Sequence, residues 1–218
     1  MYKRQGHRHL KEYHFFNIFL KQLELNSICD IYIYCNNPGI HNNIVNYYQE
    51  FSQKNKRLFI TSLNNGFRCG GVEAVSEGIE MGIFKDYDYV IHLHPDVFIT
   101  EDTYLTQVLL ENLNNDIVFF ITKSIPNAPK FFSFDFFIFK PKLLTKNIFI
   151  ENLYTFNCCP EHYLHDMIKK NNINYTFIKR FDNNHWQPRR IDSNLKLYHE
   201  HNMKKVENLL KERNLLNN

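Results

Sequence analysis

Tyr87-Asp88-Tyr89-Val90-Ile91-His92-Leu93-His94-Pro95-Asp96 carries the strongest signal of fold class in the chain. Tyr87 to Leu93 is short, rich in β-branched and aromatic residues, and stopped by Pro95, so it reads as a strand. Residues two apart on a strand share a face, which points His92 and His94 the same way and lets Asp96 follow them as the strand runs out. Upstream, Leu10, Tyr13, Phe16, Leu20 and Leu23 recur at helical spacing, and Asp30 to Cys35 reads as a strand closed by Asn36-Asn37-Pro38-Gly39. Ile44, Tyr47 and Phe51 suggest a second helix, Arg57 to Ser62 another strand, and Val72, Val75 and Ile79 a third helix behind a glycine-bearing loop.

Helix and strand signals alternate through this half with connections of a few residues, the pattern of a parallel sheet covered by helices. Downstream come a helix near Thr103 to Leu113, strands at Asp116 to Thr122 and Phe134 to Phe139, a helix from Pro160 to Lys170, a strand from Tyr175 to Arg180 and a last helix from Asn202 to Leu216. No repeat and no linker divides the chain. The expectation is one α/β domain with a mostly parallel central sheet, in which about 1–122 form a first half and about 123–218 a smaller mixed half.

The chain has 218 residues, of which 44% are hydrophobic and 22% charged. Those fractions belong to a globular protein and exclude a low-complexity scaffold. A net charge of +3 is too mild for a protein that binds nucleic acid by releasing counterions from a dense basic face. Five cysteines without a C-x-x-C spacing, one pair of them adjacent, argue against a disulfide framework and for a reducing setting. No apolar run approaches the roughly 20 residues that cross a bilayer, and the start Met1-Tyr2-Lys3-Arg4 lacks a signal-peptide core. A cytoplasmic protein without a transmembrane segment is expected, which leaves the sequon Asn174-Tyr175-Thr176 without use.

In open α/β sheets ligands bind at the carboxyl ends of strands, and the His-Pro-Asp ending closes a strand expected to be buried, which would set Asp96 over an open crevice. Two imidazoles and a carboxylate within five residues can hold a divalent cation. A turn capped by Asp96, with backbone partners for the histidines, accounts for the same residues. Gly70 and Gly71 let backbone approach a ligand, and the free N–H groups opening their helix favour phosphate, although a glycine pair there is also simply structural. Asp135, a lone charge among aromatic neighbours, has to find a partner or shift its pKa. Glu161 follows Pro160 in a first helical turn that favours a carboxylate, and helix-dipole stabilisation alone accounts for it. Arg189 and Arg190 have the planar geometry that suits phosphate oxygens, or are a solvated basic pair.

The segment Asp86 to Thr100 resembles the central strand of the GT-A nucleotide-sugar glycosyltransferases, which ends in a D-x-D motif. In register His94 replaces the first Asp, and Asp96 matches the second, the family's metal ligand. One formal charge fewer implies weaker cation affinity. The stretch Asn65-Gly66-Phe67-Arg68-Cys69-Gly70-Gly71 is similar to the family's loop and helix facing the donor nucleotide, so the resemblance implies donor contacts for Asn65, Arg68, Gly70, Gly71 and His94. Phe131 to Pro141 looks like the strand opening the acceptor half, and Cys158-Cys159-Pro160-Glu161 like the segment carrying an acidic residue. Glu161, or less favourably Asp135, is thereby implied as catalytic base.

The late Leu197-Tyr198-His199-Glu200-His201-Asn202 places His199 or His201 where such enzymes supply a further metal or diphosphate ligand, and Arg189 and Arg190 where the leaving diphosphate needs positive charge. The family opens with a strand, whereas this sequence enters a helix almost at once, so either the first strand is missing or the start is assigned downstream of it. The resemblance implies transfer of a sugar from a nucleoside-diphosphate sugar to a hydroxyl acceptor such as a glycan, with manganese or magnesium, dispensable or not. Two competing readings stand beside it. His92-Leu93-His94-Pro95-Asp96 also matches the H-x-H-x-D start of the metallo-β-lactamase signature, where the next residue is a ligand His and here is Val97. A catalytically silent transferase-like module that binds glycan or a partner is the other.

Overall fold

A computed structural model of the chain describes residues 10–35, 56–60, 66–123, 131–143, 160–179, 197–200 and 202–216. Helix α1 (Leu10–Lys21) and the single turn α2 (Leu25–Ile28) lead into β1 (Ile31–Cys35), which pairs in parallel with β2 (Lys56–Ile60). Helix α3 (Gly66–Glu80) precedes β3 (Val90–Leu93), a tight turn and β4 (Val97–Ile99). Helix α4 (Thr103–Glu111), β5 (Ile117–Lys123), β6 (Phe131–Phe139), a 3-10 turn (Pro141–Leu143), α5 (Pro160–Lys170), β7 (Tyr175–Lys179), β8 (Leu197–His199) and α6 (Met203–Glu212) complete the order. The helix expected around Ile44 to Phe51 lies outside the described residues.

The main sheet runs β3-β6-β5-β7 and is mixed. β5 and β7 are parallel, while β6 lies antiparallel to both β3 and β5. The expectation of a mostly parallel sheet is met only in part: β1–β2 and β5–β7 are parallel, whereas β6 is antiparallel to both its neighbours. The physical reason was present in the spacing: residues 124–130 are too few for the crossover of roughly a dozen residues that parallel neighbours need, so β6 returns against β5. β3, expected to be buried, is half-buried and stands at one end of this sheet among the described residues.

Register sorts the core. Val90, Phe139, Ile117 and Tyr175 form one cross-strand row, and His92, Phe137, Phe119 and Phe177 the next row on the same face. Onto that face α3 packs Val72 and Val75, and α5 packs Tyr163, Leu164, Met167 and Ile168. The opposite face carries Ile138, Val118 and Phe136, covered by Tyr104, Leu105 and Val108 of α4. Period two along the strands meets period 3.6 along the helices, which is why each strand hydrophobe finds a helix stripe.

A third cluster holds the small β4–β8 sheet. Phe98 of β4 is fully buried between Phe15 and Phe19 of α1 and Val206, Leu209 and Leu210 of α6, with the Phe19 and Phe98 rings 5.4 Å apart. Asp102, just past β4, is buried and accepts the Leu25 N–H at 2.8 Å, tying α2 to the start of α4. Phe98→Ala should therefore cost about 3–5 kcal/mol and lower the melting temperature by roughly 6–20 °C, read by thermal denaturation. A fall below 2 °C would show that α1 and α6 do not clamp β4.

Candidate functional site

Strand direction gathers the polar residues. The row Val90, Phe139, Ile117, Tyr175 marks where β3, β5 and β7 begin, so these strands all end at the opposite edge. Two helices point their N-termini at that edge. Phe84, just after α3, packs edge-on against Phe139 beside the start of β3, which puts the Gly66 end of α3 toward the strand ends. Asn174, just after α5, accepts N–H bonds from Asp116 and Ile117 at the start of β5, which puts Pro160 and Glu161 toward them too.

At that edge β3 ends and the chain turns, the Val97 N–H donating to the His94 carbonyl at 3.0 Å. His92 and His94 share a face as expected, their ring centroids 5.2 Å apart. The His92 ring stacks on Phe137 at 4.6 Å and 29° between planes, so it continues the aromatic row of the core. Asp135 occupies β6 one residue before Phe136, which is the partner of Leu93; its register position is therefore level with His94. On the other side of the turn β4 meets β8 antiparallel, with His199 opposite Val97 and the Glu200 N–H donating to the Asp96 carbonyl at 3.1 Å.

Backbone placement thus brings His94, Asp96, Asp135, His199 and the helix starts carrying Gly70, Gly71 and Glu161 to one edge. The side chains of Arg68, Asp135, Glu161 and His199 lie outside the described residues, as do Asn65, Arg189, Arg190 and His201 altogether.

One expectation is corrected outright. Asp96 does not overhang an open crevice: it is 0% exposed. Burial of a carboxylate is costly unless it is compensated, so the turn that holds it is built and not incidental. The set His92, His94, Asp96, all three described, does not form a cation cage either. Among the described residues no three His, Cys, Asp or Glu side chains come together in a way that could hold a metal ion. The described residues therefore do not by themselves fit a bound cation.

Sequence reading missed Glu200. It is buried, its Oε1 accepts the Asn202 N–H at 2.9 Å, and its Oε2 lies 3.5 Å from Lys205 Nζ. Its position between two histidines and just before a helix cap was the available signal. Hydrogen bonds to Asp30 and Tyr32 push the Tyr87 phenol up from its ordinary value, and burial, then Asp30 and Asp102, push up the Cys29 thiol. Asp30 and Tyr87 precede β1 and β3, at the strand starts.

No family model matches the chain, and no curated protein sequence does. Among solved structures it is similar to one described as a "putative nucleotide-diphospho-sugar transferase" from Desulfovibrio desulfuricans G20, with a TM-score of 0.57 and 8% identity. The alignment covers 93% of this chain and 83% of the other. At that identity the likeness is one of fold: an α/β fold shared with a protein so described. Among the described residues no helix is long and apolar enough to cross a membrane.

The stacking of His92 gives a direct check on which histidine belongs to the core. His92→Phe preserves a planar ring on Phe137 and should change stability by less than about 1.5 kcal/mol in denaturant unfolding. A metal released on that substitution, measured by elemental analysis, would restore the hydrolase reading.

Proposed function

We propose that the chain is a nucleotide-sugar-dependent glycosyltransferase with a GT-A-like fold, moving a sugar from a nucleoside-diphosphate donor to a hydroxyl acceptor such as a glycan. The observation that carries this is the strand-end edge where His94, Asp96, Asp135 and the N-termini of α3 and α5 converge, in a fold shared with a protein described as a transferase of this class. Helix N-termini present unpaired N–H groups that suit a diphosphate. Arg189, Arg190, Asn65 and Arg68 complete the proposed donor contacts.

In the reaction the acceptor hydroxyl oxygen attacks the anomeric carbon, and the bond from that carbon to the diphosphate oxygen breaks. Glu161, or Asp135 in its place, takes the hydroxyl proton. Attack opposite the leaving group gives inversion. The nucleoside diphosphate leaves with the bonding electron pair, stabilised by the N–H groups and guanidinium charge around it. Because Asp96 is closed off, donor contact with it requires the side chains that cover it to move.

That closure favours one second reading, a module that binds a sugar ligand without turnover. Release of nucleoside diphosphate separates the two, since only a transferase produces it. The test is thermal denaturation with uridine-, guanosine- and thymidine-diphosphate sugars, with and without manganese. A donor at a hundred times its dissociation constant should raise the melting temperature by roughly 5–10 °C. Asp96→Ala should abolish that rise. No rise with any donor in the native chain overturns the reading, whereas a full rise in Asp96→Ala removes only Asp96 from the site.

A further inference from the structure

We infer that Glu200 is a positioning residue for the donor edge, fixing through one side chain the corner at which β8 turns into α6 beside Asp96. This rests on the donor-binding reading of that edge. The residue connects two sides of the corner. Its backbone N–H holds the Asp96 carbonyl at 3.1 Å, extending the β4–β8 ladder one step past Val97 and His199. Its carboxylate reaches two residues forward to the Asn202 N–H at 2.9 Å and lies 3.5 Å from Lys205 Nζ, one turn into α6.

Asn202 in turn caps α6, its Oδ1 accepting the Lys204 N–H at 3.1 Å. The sequence Glu200 to Lys205 is therefore a chain of local bonds that sets the direction in which the backbone leaves β8. Local side-chain bonds of this kind select one backbone path among several.

The consequence reaches Asp96 because β4 and β8 have only three residues each and no other strand of the described residues pairs with them. A pairing that short draws its register from its ends. On the far side Phe98 is gripped by α1 and α6, and on the near side the Glu200–Asp96 bond is the last rung. If the corner relaxes, that rung and the His94-Pro95-Asp96 turn shift together. A displacement of about 1 Å at a reacting edge can cost on the order of a hundredfold.

Burial makes the assignment specific to the carboxylate. Glu200 is 6% exposed, whereas a glutamate whose only task is solubility stays in water. Gln keeps an oxygen that can accept the Asn202 N–H but loses the charge and the ion pair with Lys205. Ala removes the acceptor and leaves that N–H to water. The two substitutions thus separate positioning through a hydrogen bond from direct electrostatic contact with a donor.

The experiment measures affinity for the best uridine-, guanosine- or thymidine-diphosphate sugar, and amide exchange over residues 197–206, in the full-length wild-type chain, Glu200→Gln and Glu200→Ala. Expected is a loss of about tenfold or more in Glu200→Ala with faster exchange at Asn202. Glu200→Gln should stay within about threefold of wild type, with near-native exchange. Equal losses in both variants would show that the charge and not the corner matters, which overturns the inference. Unchanged affinity in Glu200→Ala with faster exchange would make the corner merely structural and overturn it as well, leaving the donor reading intact. Absence of nucleotide-sugar binding by the wild-type chain removes the donor reading and the inference together.

Discussion

The antiparallel placement of β6 between β3 and β5 governs where each edge of the main sheet falls. It sets Phe139 against both Val90 and Ile117, and so aligns the starts of β3, β5 and β7 along one edge and their ends along the other. Asp135 takes its place from that alignment: β6 begins where the others end, so its middle residue comes level with His94 at the finish of β3.

Most of the elements were legible because their apolar residues kept strict period. Val72 and Val75 are buried in α3 where the spacing put them, and Phe136 to Phe139 are all buried in β6. The direction of β6 was not read, although the length of its connection decides it. The β4–β8 sheet was not read at all: three-residue strands carry too little periodicity to register, and their partners are a hundred residues apart in sequence. That pairing is what brings the late histidine segment to the His-Pro-Asp turn.

At the site itself, residue types and the shared face of His92 and His94 followed from strand geometry, whereas exposure did not. His92 stacks into the aromatic row, and Asp96 is enclosed. A strand-end carboxylate reads as a ligand-facing group because loops at strand ends usually meet solvent. Here β4 resumes only one residue later, and α1 and α6 close over it, so the turn is packed like an interior corner. Glu200 shows the converse: a charge flanked by two histidines reads as a wetted face, and only its burial in the folded chain shows it directed inward.

An 8% identity alongside a shared fold shows how little of the fold is specified by particular residues. What the architecture requires is an apolar row on each sheet face, helices of matching stripe, and connections of suitable length. Phe, Ile, Val and Leu satisfy the rows interchangeably, within the volume that neighbours allow. Polar groups are held to a narrower rule, because a buried one must keep its hydrogen bonds. Substitution at Glu200 or Asp102 is therefore more constrained than at Ile117 or Val118, even though all four are buried. Chemistry diverges on such a scaffold at the strand ends, where a residue can change without disturbing either row.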